Sequence, residues 1–94
     1  MAEAGDVQSC FKLGQMFALG EGAEQNDSAA FDWYMKAAKR GDALSEFVIG
    51  TCYNNGITVA EDADEAAMWF FRASLKGNLD AYLALLNYYE THRS

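Results

Sequence analysis

Few side chains in this sequence can perform catalysis or bind a metal ion. The only histidine is His92, close to the end of the chain, and the two cysteines are Cys10 and Cys52. Protein zinc sites combine several cysteine, histidine and carboxylate ligands, and acid–base catalysis needs a positioned pair of ionisable groups. We therefore expect no catalytic residue, no metal ion and no cofactor, and a protein that binds rather than transforms its target.

Two other patterns have a structural explanation. The acidic segment 61–65 (EDADE) precedes a helical pattern, where carboxylates complement the positive end of the helix dipole. We therefore predict a helix start there rather than a calcium site. The segment Gly20-x-Gly22 follows a helical pattern instead of a strand, so it indicates the end of a helix and not a phosphate-binding loop.

A pattern of residues repeats along the chain with a spacing of 36 positions. The residues that recur unchanged are Gly5, Asp6, Ser9, Phe11, Gly14, Gly20, Ala30, Trp33 and Ala37, matched by Gly41, Asp42, Ser45, Phe47, Gly50, Gly56, Ala66, Trp69 and Ala73. Such a period is the signature of stacked structural repeats. We predict one domain over residues 1–94, with repeat one at 5–40, repeat two at 41–76 and a half repeat at 77–94.

Each full repeat predicts two helices, here called the A helix and the B helix. Apolar residues recur at helical spacing between capping residues and glycines. The expected A helices cover 6–19, 42–54 and 79–91, and the B helices cover 27–40 and the stretch from the acidic segment to 76. Residues 1–4 match the end of a B helix, and residues 92–94 are expected to fray. Stacked antiparallel helix pairs form an all-α superhelix.

Glycines inside the predicted A helices indicate close packing, because each costs about 1 kcal/mol relative to alanine. We expect an aromatic side chain of the paired B helix to lie against Gly14 and Gly50. The candidates are Trp33 and Trp69, or Tyr34 and Phe70. Both tryptophans are expected to be buried. Leu86 stands at the glycine position of the third copy, where no B helix follows in this sequence.

The two cysteines are not expected to form a disulfide. If neighbouring A helices lie in register, Cys10 and Cys52 differ by six positions, or about 9 Å along the helix axis. A disulfide needs Cα atoms within about 7 Å. Thiols indicate a reducing compartment. The first residues lack a signal-peptide pattern, and no run approaches the ~20 apolar residues of a membrane span, so we expect a cytoplasmic protein.

Two blocks of sequence resemble a known family. They are Leu13-Gly14-x-x-Phe17-x-x-Gly20-x-Gly22 and Ala30-x-x-Trp33-Tyr34-x-Lys36-Ala37-Ala38-x-x-Gly41-Asp42. Together they resemble the Sel1-like repeat, a solenoid relative of the tetratricopeptide repeat, over nearly the whole chain. The resemblance implies a right-handed α–α superhelix of five helices. Repeat two departs from the pattern at Thr58, where a glycine is expected, which leaves the shape of that loop open.

The resemblance also implies a non-enzymatic scaffold or adaptor that binds a peptide or a partner protein on the concave face lined by the A helices. Carried over position by position, this face comprises Gln8, Phe11, Lys12, Gln15, Leu44, Phe47, Val48, Thr51, Asn54, Asp80, Leu83 and Asn87. The polar members suit hydrogen bonds to a peptide backbone. Whether Phe11 and Phe47 belong to the core or contact a ligand stays open.

Charge and length leave two other hypotheses. The net charge of −7 disfavours nucleic acid and anionic membranes as targets, but it fits a small acidic immunity or inhibitor protein that blocks a basic site on a toxin or nucleic-acid-binding enzyme. Two and a half repeats are also fewer than the roughly three that stacking usually needs. The chain could then form a homo-oligomer through its ends, with Ala2 and Cys10 at one end and Tyr82 and Tyr88 at the other.

Overall fold

The computed structural model describes residues 6–92, and these form five helices and no strand. The A helices are α1 (Val7–Leu19), α3 (Ala43–Asn55) and α5 (Leu79–His92), and the B helices are α2 (Asp27–Lys39) and α4 (Ala63–Leu75). The all-α prediction is confirmed, and every predicted helix is present. His92 closes α5 instead of fraying, because its ring stacks on Tyr88 at 4.2 Å between centroids. The predicted helix end at residues 1–4 lies outside the described residues.

The same capping chemistry starts successive helices. Asp6 accepts hydrogen bonds from the backbone N–H and the hydroxyl of Ser9, and Asp42 does the same for Ser45. These bonds satisfy N–H groups that have no partner inside the helix. Hydrogen bonding from the Ser9 hydroxyl is also the main cause that lowers the pKa of Asp6. The start of α5 is capped in the same way by Asn78, as predicted.

The loop after each A helix keeps one shape in both repeats. Gly20 and Gly56 end α1 and α3 in the left-handed conformation, with φ of 72° and 70°. Two residues later, Gly22 has φ of 77° and Thr58 has φ of 72°. The change from glycine to threonine therefore preserves the loop but places a β-branched residue in a strained conformation.

The helices follow one another as neighbours in an elongated stack. Helix α1 packs on α2, α2 on α3, α3 on α4 and α4 on α5, and the extents are 46 × 24 × 17 Å. One core cluster joins the two repeats through Tyr34 of α2, Ile49 of α3 and Trp69 of α4. A second joins repeat two to α5 through Phe70 and Leu85. The core is thus a row of contacts between neighbouring elements, as in other solenoids.

The aromatic residues that press on the two helical glycines are Tyr34 and Phe70. A Cβ atom on Gly14 would lie 2.8 Å from the Tyr34 ring, and one on Gly50 would lie 2.7 Å from the Phe70 ring. The alternative, that the tryptophans fill this role, is wrong. Trp69 is 6% exposed and packs in the first core cluster, but Trp33 is only partly buried. Within residues 6–92 no helix precedes α1, so Trp33 lacks the neighbouring repeat that covers Trp69.

A buried ion pair links α3 to the end of α4, and sequence reasoning did not predict it. Glu46 is 1% exposed, and both of its carboxylate oxygens accept hydrogen bonds of 2.9 Å from Nζ of Lys76. The Lys76 side chain keeps 42% of its surface exposed. Lys76 is the C-cap residue of α4. Its positive charge therefore also interacts favourably with the negative end of the helix dipole.

The cysteines are both buried and are not joined by a disulfide, as expected. Burial raises the pKa of the Cys52 thiol, with a smaller contribution from Asp27. Cys10 has none of its surface exposed. It therefore cannot form an exposed end for stacking, and that part of the homo-oligomer hypothesis is wrong. Ala2 lies outside the described residues.

Candidate functional site

The twelve predicted contact residues lie on the three A helices, and none of them is buried. Within each helix they fall on one side, because they are spaced by three, four and seven positions. We call this surface the A-helix face. Its most exposed apolar members are Leu44 at 55% and Leu83 at 52%. The structure therefore leaves this face accessible to a partner.

Phe11 and Phe47 contribute both to the core and to the surface. Phe11 packs on Tyr34 with 5.6 Å between ring centroids, and Phe47 packs on Phe70 with 5.8 Å. Each is only partly buried. The sequence left open whether these two residues belong to the core or contact a ligand, and each ring can do both, with one side for each role. One side holds the A helix on its B helix, and the other forms part of the A-helix face.

The polar members of the face differ in how many hydrogen bonds they can still offer. Gln8, Gln15 and Asn87 are exposed. The Thr51 hydroxyl already donates to the backbone oxygen of Phe47 at 2.9 Å, so it can serve a partner mainly as an acceptor. Asn54 donates to the neighbouring Asn55 side chain at 3.2 Å, a bond at the long limit for a strong interaction.

Sequence reasoning missed one residue of this surface. Leu19 follows Lys12 by seven positions, so it lies on the same side of α1, and it is 60% exposed. The seven-residue spacing was visible in the sequence. The glycine that follows it marks this position as the end of the helix, which hides its place on the face. With Leu44 and Leu83, this residue places an exposed leucine on each of the three A helices.

Charge is divided between the two edges of the stack. Since A and B helices are antiparallel, the ends of the A helices and the starts of the B helices share one edge. That edge carries Glu21, Glu24, Asp27, Glu61, Asp62, Asp64, Glu65 and Glu90. The opposite edge carries the lysines and arginines of the last turns of the B helices, together with acidic residues at the starts of the A helices: Asp6, Asp42, Glu46 and Asp80. The A-helix face therefore runs between an acidic edge and an edge of mixed charge.

The acidic edge also holds α4 to α5. The Tyr88 hydroxyl donates a hydrogen bond to Asp64. This bond is the largest cause that raises the pKa of the Tyr88 phenol, since it stabilises the protonated form beside a carboxylate.

Comparison with known proteins agrees with the repeat. The family model described as Sel1 repeat matches residues 7–42 and 43–78. The chain belongs to the Sel1 repeat family. Proteins with Sel1 repeats are repeat scaffolds that typically bind other proteins. The matched segments begin two residues after the repeats predicted at 5–40 and 41–76.

Solved structures of Sel1 repeat proteins have the same fold. A Sel1 repeat protein from Oxalobacter formigenes superposes with a TM-score of 0.85 at 32% identity, covering 88% of this chain and 62% of that one. The protective antigen c5321 of uropathogenic Escherichia coli, which displays an SLR fold, gives 0.83 at 36% identity, covering 86% of this chain and 17% of that one. This chain thus spans less than two thirds of either. No curated protein sequence matches it significantly.

The Sel1 repeats show no arrangement for metal binding within the described part of the chain. Residues 6–92 contain no group of three histidine, cysteine or acidic side chains placed to hold a metal ion. In the same part, no helix is long and apolar enough to cross a membrane. His92 uses its ring against Tyr88.

Proposed function

We propose that this Sel1 repeat chain is a protein-interaction module that binds a peptide or a segment of a partner protein on its A-helix face. The observation that carries the proposal is the run of exposed contact positions along three successive helices, anchored by partly exposed Phe11 and Phe47. A surface of this kind suits an elongated ligand, because neighbouring repeats present equivalent positions along the stack. The general role of Sel1 repeats in protein binding supports it.

The chemistry of the face favours a ligand with apolar side chains and a free backbone. Leu19, Leu44 and Leu83 are more than half exposed and can cover apolar side chains. Gln8, Gln15 and Asn87 can both donate to and accept from peptide groups. The expected ligand is an extended segment with apolar residues at intervals, in which backbone amides lie between them.

The proposal is tested by a quantitative capture experiment with matched variants. The bait is the 94-residue chain, and the variants are Leu44→Glu and Leu83→Glu on the A-helix face. Ile57→Glu is the control, since Ile57 is 41% exposed in the loop after α3 and away from the face. Loss of a stoichiometric partner with the two face variants, and its retention with the control, is expected. Equal retention by all three variants would contradict the proposal.

A second candidate function is the acidic inhibitor, and the acidic edge is the observation that favours it. Eight carboxylates lie along that edge. Binding through them would weaken steeply as salt is raised, because exposed charges are screened within about 8–10 Å at 0.1–0.15 M salt. A partner that survives Leu44→Glu but is released by salt would favour this function. The cytoplasmic location predicted from the sequence also stays a proposal.

A further inference from the structure

Exposed apolar side chains concentrate at the C-terminal end of the stack. Seven large hydrophobic residues on the outer sides of α4 and α5 are between 42% and 71% exposed. We call them the end patch: Met68, Phe71, Leu75, Leu79, Tyr82, Leu86 and Tyr89. On α5 they are spaced by three or four positions, so they lie on one side of that helix. Leu83 of the A-helix face lies four residues after Leu79 and three before Leu86, so the patch and the A-helix face border each other along α5.

The repeat shows why these positions are uncovered. Moved back by 36 positions, Tyr82, Leu86 and Tyr89 correspond to Glu46, Gly50 and Tyr53 of α3. In repeat two, α4 covers this side of α3, since Phe70 lies on Gly50 and Lys76 pairs with Glu46. No such helix follows α5 within residues 6–92.

A further B helix of the same kind does not fit over α5. Even a single Cβ atom at the glycine position would come within 2.7–2.8 Å of the aromatic ring of the B helix, well inside van der Waals contact of about 3.5–4.0 Å. At Leu86 a whole isobutyl group occupies that space. A surface that covers the end patch must therefore pack around the side chain of Leu86, whereas α4 places an aromatic ring directly on the backbone of Gly50.

We propose that the end patch of one chain packs against the end patch of a second copy, which makes the protein a two-fold symmetric dimer. Outside the patch and Leu83, the exposed large hydrophobics of the described chain are Leu19, Leu44 and Ile57. The first two lie on the A-helix face and the third in a loop. Among the described residues, the opposite end of the stack carries no large hydrophobic side chain as exposed as those of the patch, since Trp33 there is partly buried. We therefore favour a two-fold contact over head-to-tail stacking. A two-fold contact pairs each patch with itself and closes after two copies.

The area of the patch is large enough for a stable dimer. Large apolar and aromatic side chains each expose roughly 150–250 Å² when free, so these exposed fractions amount to roughly 700 Å² per copy. Two copies would bury about 1,400 Å², inside the 1,200–2,000 Å² of specific interfaces. The net charge of −7 per chain opposes association, but the patch itself carries both signs, with Arg72 and Glu90 beside it.

The two-fold arrangement places the two α5 helices antiparallel, with Leu86 at the middle of the contact. Leu86 lies at the centre of α5 (Leu79–His92). Glu90 of one copy then lies towards the start of α5 in the other copy, where the helix dipole is positive. The dimer leaves the parts of both A-helix faces on α1 and α3 free. A partner with two binding segments would gain affinity from this bivalency.

The test is sedimentation of the 94-residue chain across a range of concentrations. At about 100 µM we expect a species of twice the 10.4 kDa chain mass, which fits an interface of standard size. Leu86→Glu places two carboxylates at the centre of the contact and should raise the dimer dissociation constant at least about 100-fold. Leu44→Glu is the control: Leu44 lies off the patch and is more exposed than Leu86 (55% against 42%), so this change should leave the dissociation constant unchanged. Circular dichroism checks that each variant is folded.

A crosslinking experiment tests the arrangement without changing the charge. Leu86→Cys brings two thiols together at the two-fold axis, and mild oxidation should link most of the protein as dimers. Leu44→Cys is the matched control and should stay monomeric on a denaturing gel, because the native cysteines are buried. A monomer at high concentration, a dimer that survives Leu86→Glu, or equal crosslinking at both positions would overturn the proposal.

Discussion

Replacement of Lys76 by methionine tests the electrostatics of this fold most sharply. The change keeps the length and much of the apolar stem of the side chain but removes the charge that faces Glu46. The Glu46 side chain is only 2% exposed, so its carboxylate has no ready access to water in the variant. A buried charge without its partner is strongly destabilising.

The partial exposure of Lys76 moderates this cost. Removing one partner of a buried ion pair typically costs about 3–5 kcal/mol. Because Lys76 keeps 42% of its side chain exposed, we expect Lys76→Met to lower the free energy of unfolding by somewhat less, about 2–3.5 kcal/mol at pH 7.

The opposite replacement should be much milder. In Glu46→Gln, Lys76 keeps a charge that is already 42% exposed and can turn to water, so we expect a loss of about 0.5–1.5 kcal/mol. The double variant removes both charges and should recover to within about 1 kcal/mol of the original chain. Lys39→Met is the matched control, because Lys39 is an exposed lysine in the last turn of α2. It should change stability by less than about 0.5 kcal/mol.

The assay is urea unfolding followed by helical circular dichroism at pH 7, at one fixed protein concentration. The expected order of destabilisation is Lys76→Met, then Glu46→Gln, then Lys39→Met. A Lys76→Met variant as stable as the Lys39→Met control would refute the reasoning. So would a double variant as unstable as Lys76→Met alone, since it would mean that the cost comes from packing and not from the unpaired carboxylate.

Three further predictions follow from local geometry. Thr58→Gly relieves the left-handed φ of 72° and should raise the free energy of unfolding by about 1 kcal/mol in urea titrations; a decrease would contradict the strain. Gly50→Ala should destabilise by about 1–2 kcal/mol despite better helix propensity, and Phe70→Leu in the same chain should restore part of the loss. Burial raises the pKa of the Cys52 thiol, so at pH 8 it should react with a disulfide reagent far more slowly in the folded chain than in urea; equal rates would exclude this.

The sequence predicts the fold well because its signals are local and occur twice. An aspartate followed by a serine three residues later, at position 6 and again at 42, predicts a helix start in each copy. Gly20 and Gly56 predict where these helices end. Each signal depends only on its own few neighbours, so it can be interpreted without the tertiary structure.

The features that the sequence did not predict depend on contacts between repeats. Trp33 and Trp69 occupy the same position in the pattern, yet within residues 6–92 a preceding repeat covers Trp69 alone. Glu46 stands at the position of Cys10 of repeat one, and its buried carboxylate is paired with Lys76, 30 residues away. Neither the unequal burial of the two tryptophans nor the burial of Glu46 can be predicted from the spacing of apolar residues. That spacing indicates which side of a helix is apolar, but not which neighbouring helix covers it.

The A-helix face was predicted from family resemblance and helical spacing, and its exposure follows from the same spacing. Which side chains of this face are exposed, and so could contact a partner, could be predicted from the sequence only in part. Leu19 was missed because it ends a helix, and Phe11 and Phe47 could not be assigned because each serves the core on one side and the surface on the other.

Site-specific photocrosslinking tests the central claim, that the A-helix face binds a protein partner, most directly. A photoreactive phenylalanine derivative is placed at Gln15, exposed on this face, or at Asp32, exposed on the outer side of α2. Irradiation in the source cells should link one protein to the Gln15 probe and not to the Asp32 probe, and Leu44→Glu in the same chain should abolish the product. Equal products from both probes, or a product from Asp32 alone, would contradict the assignment of the binding face.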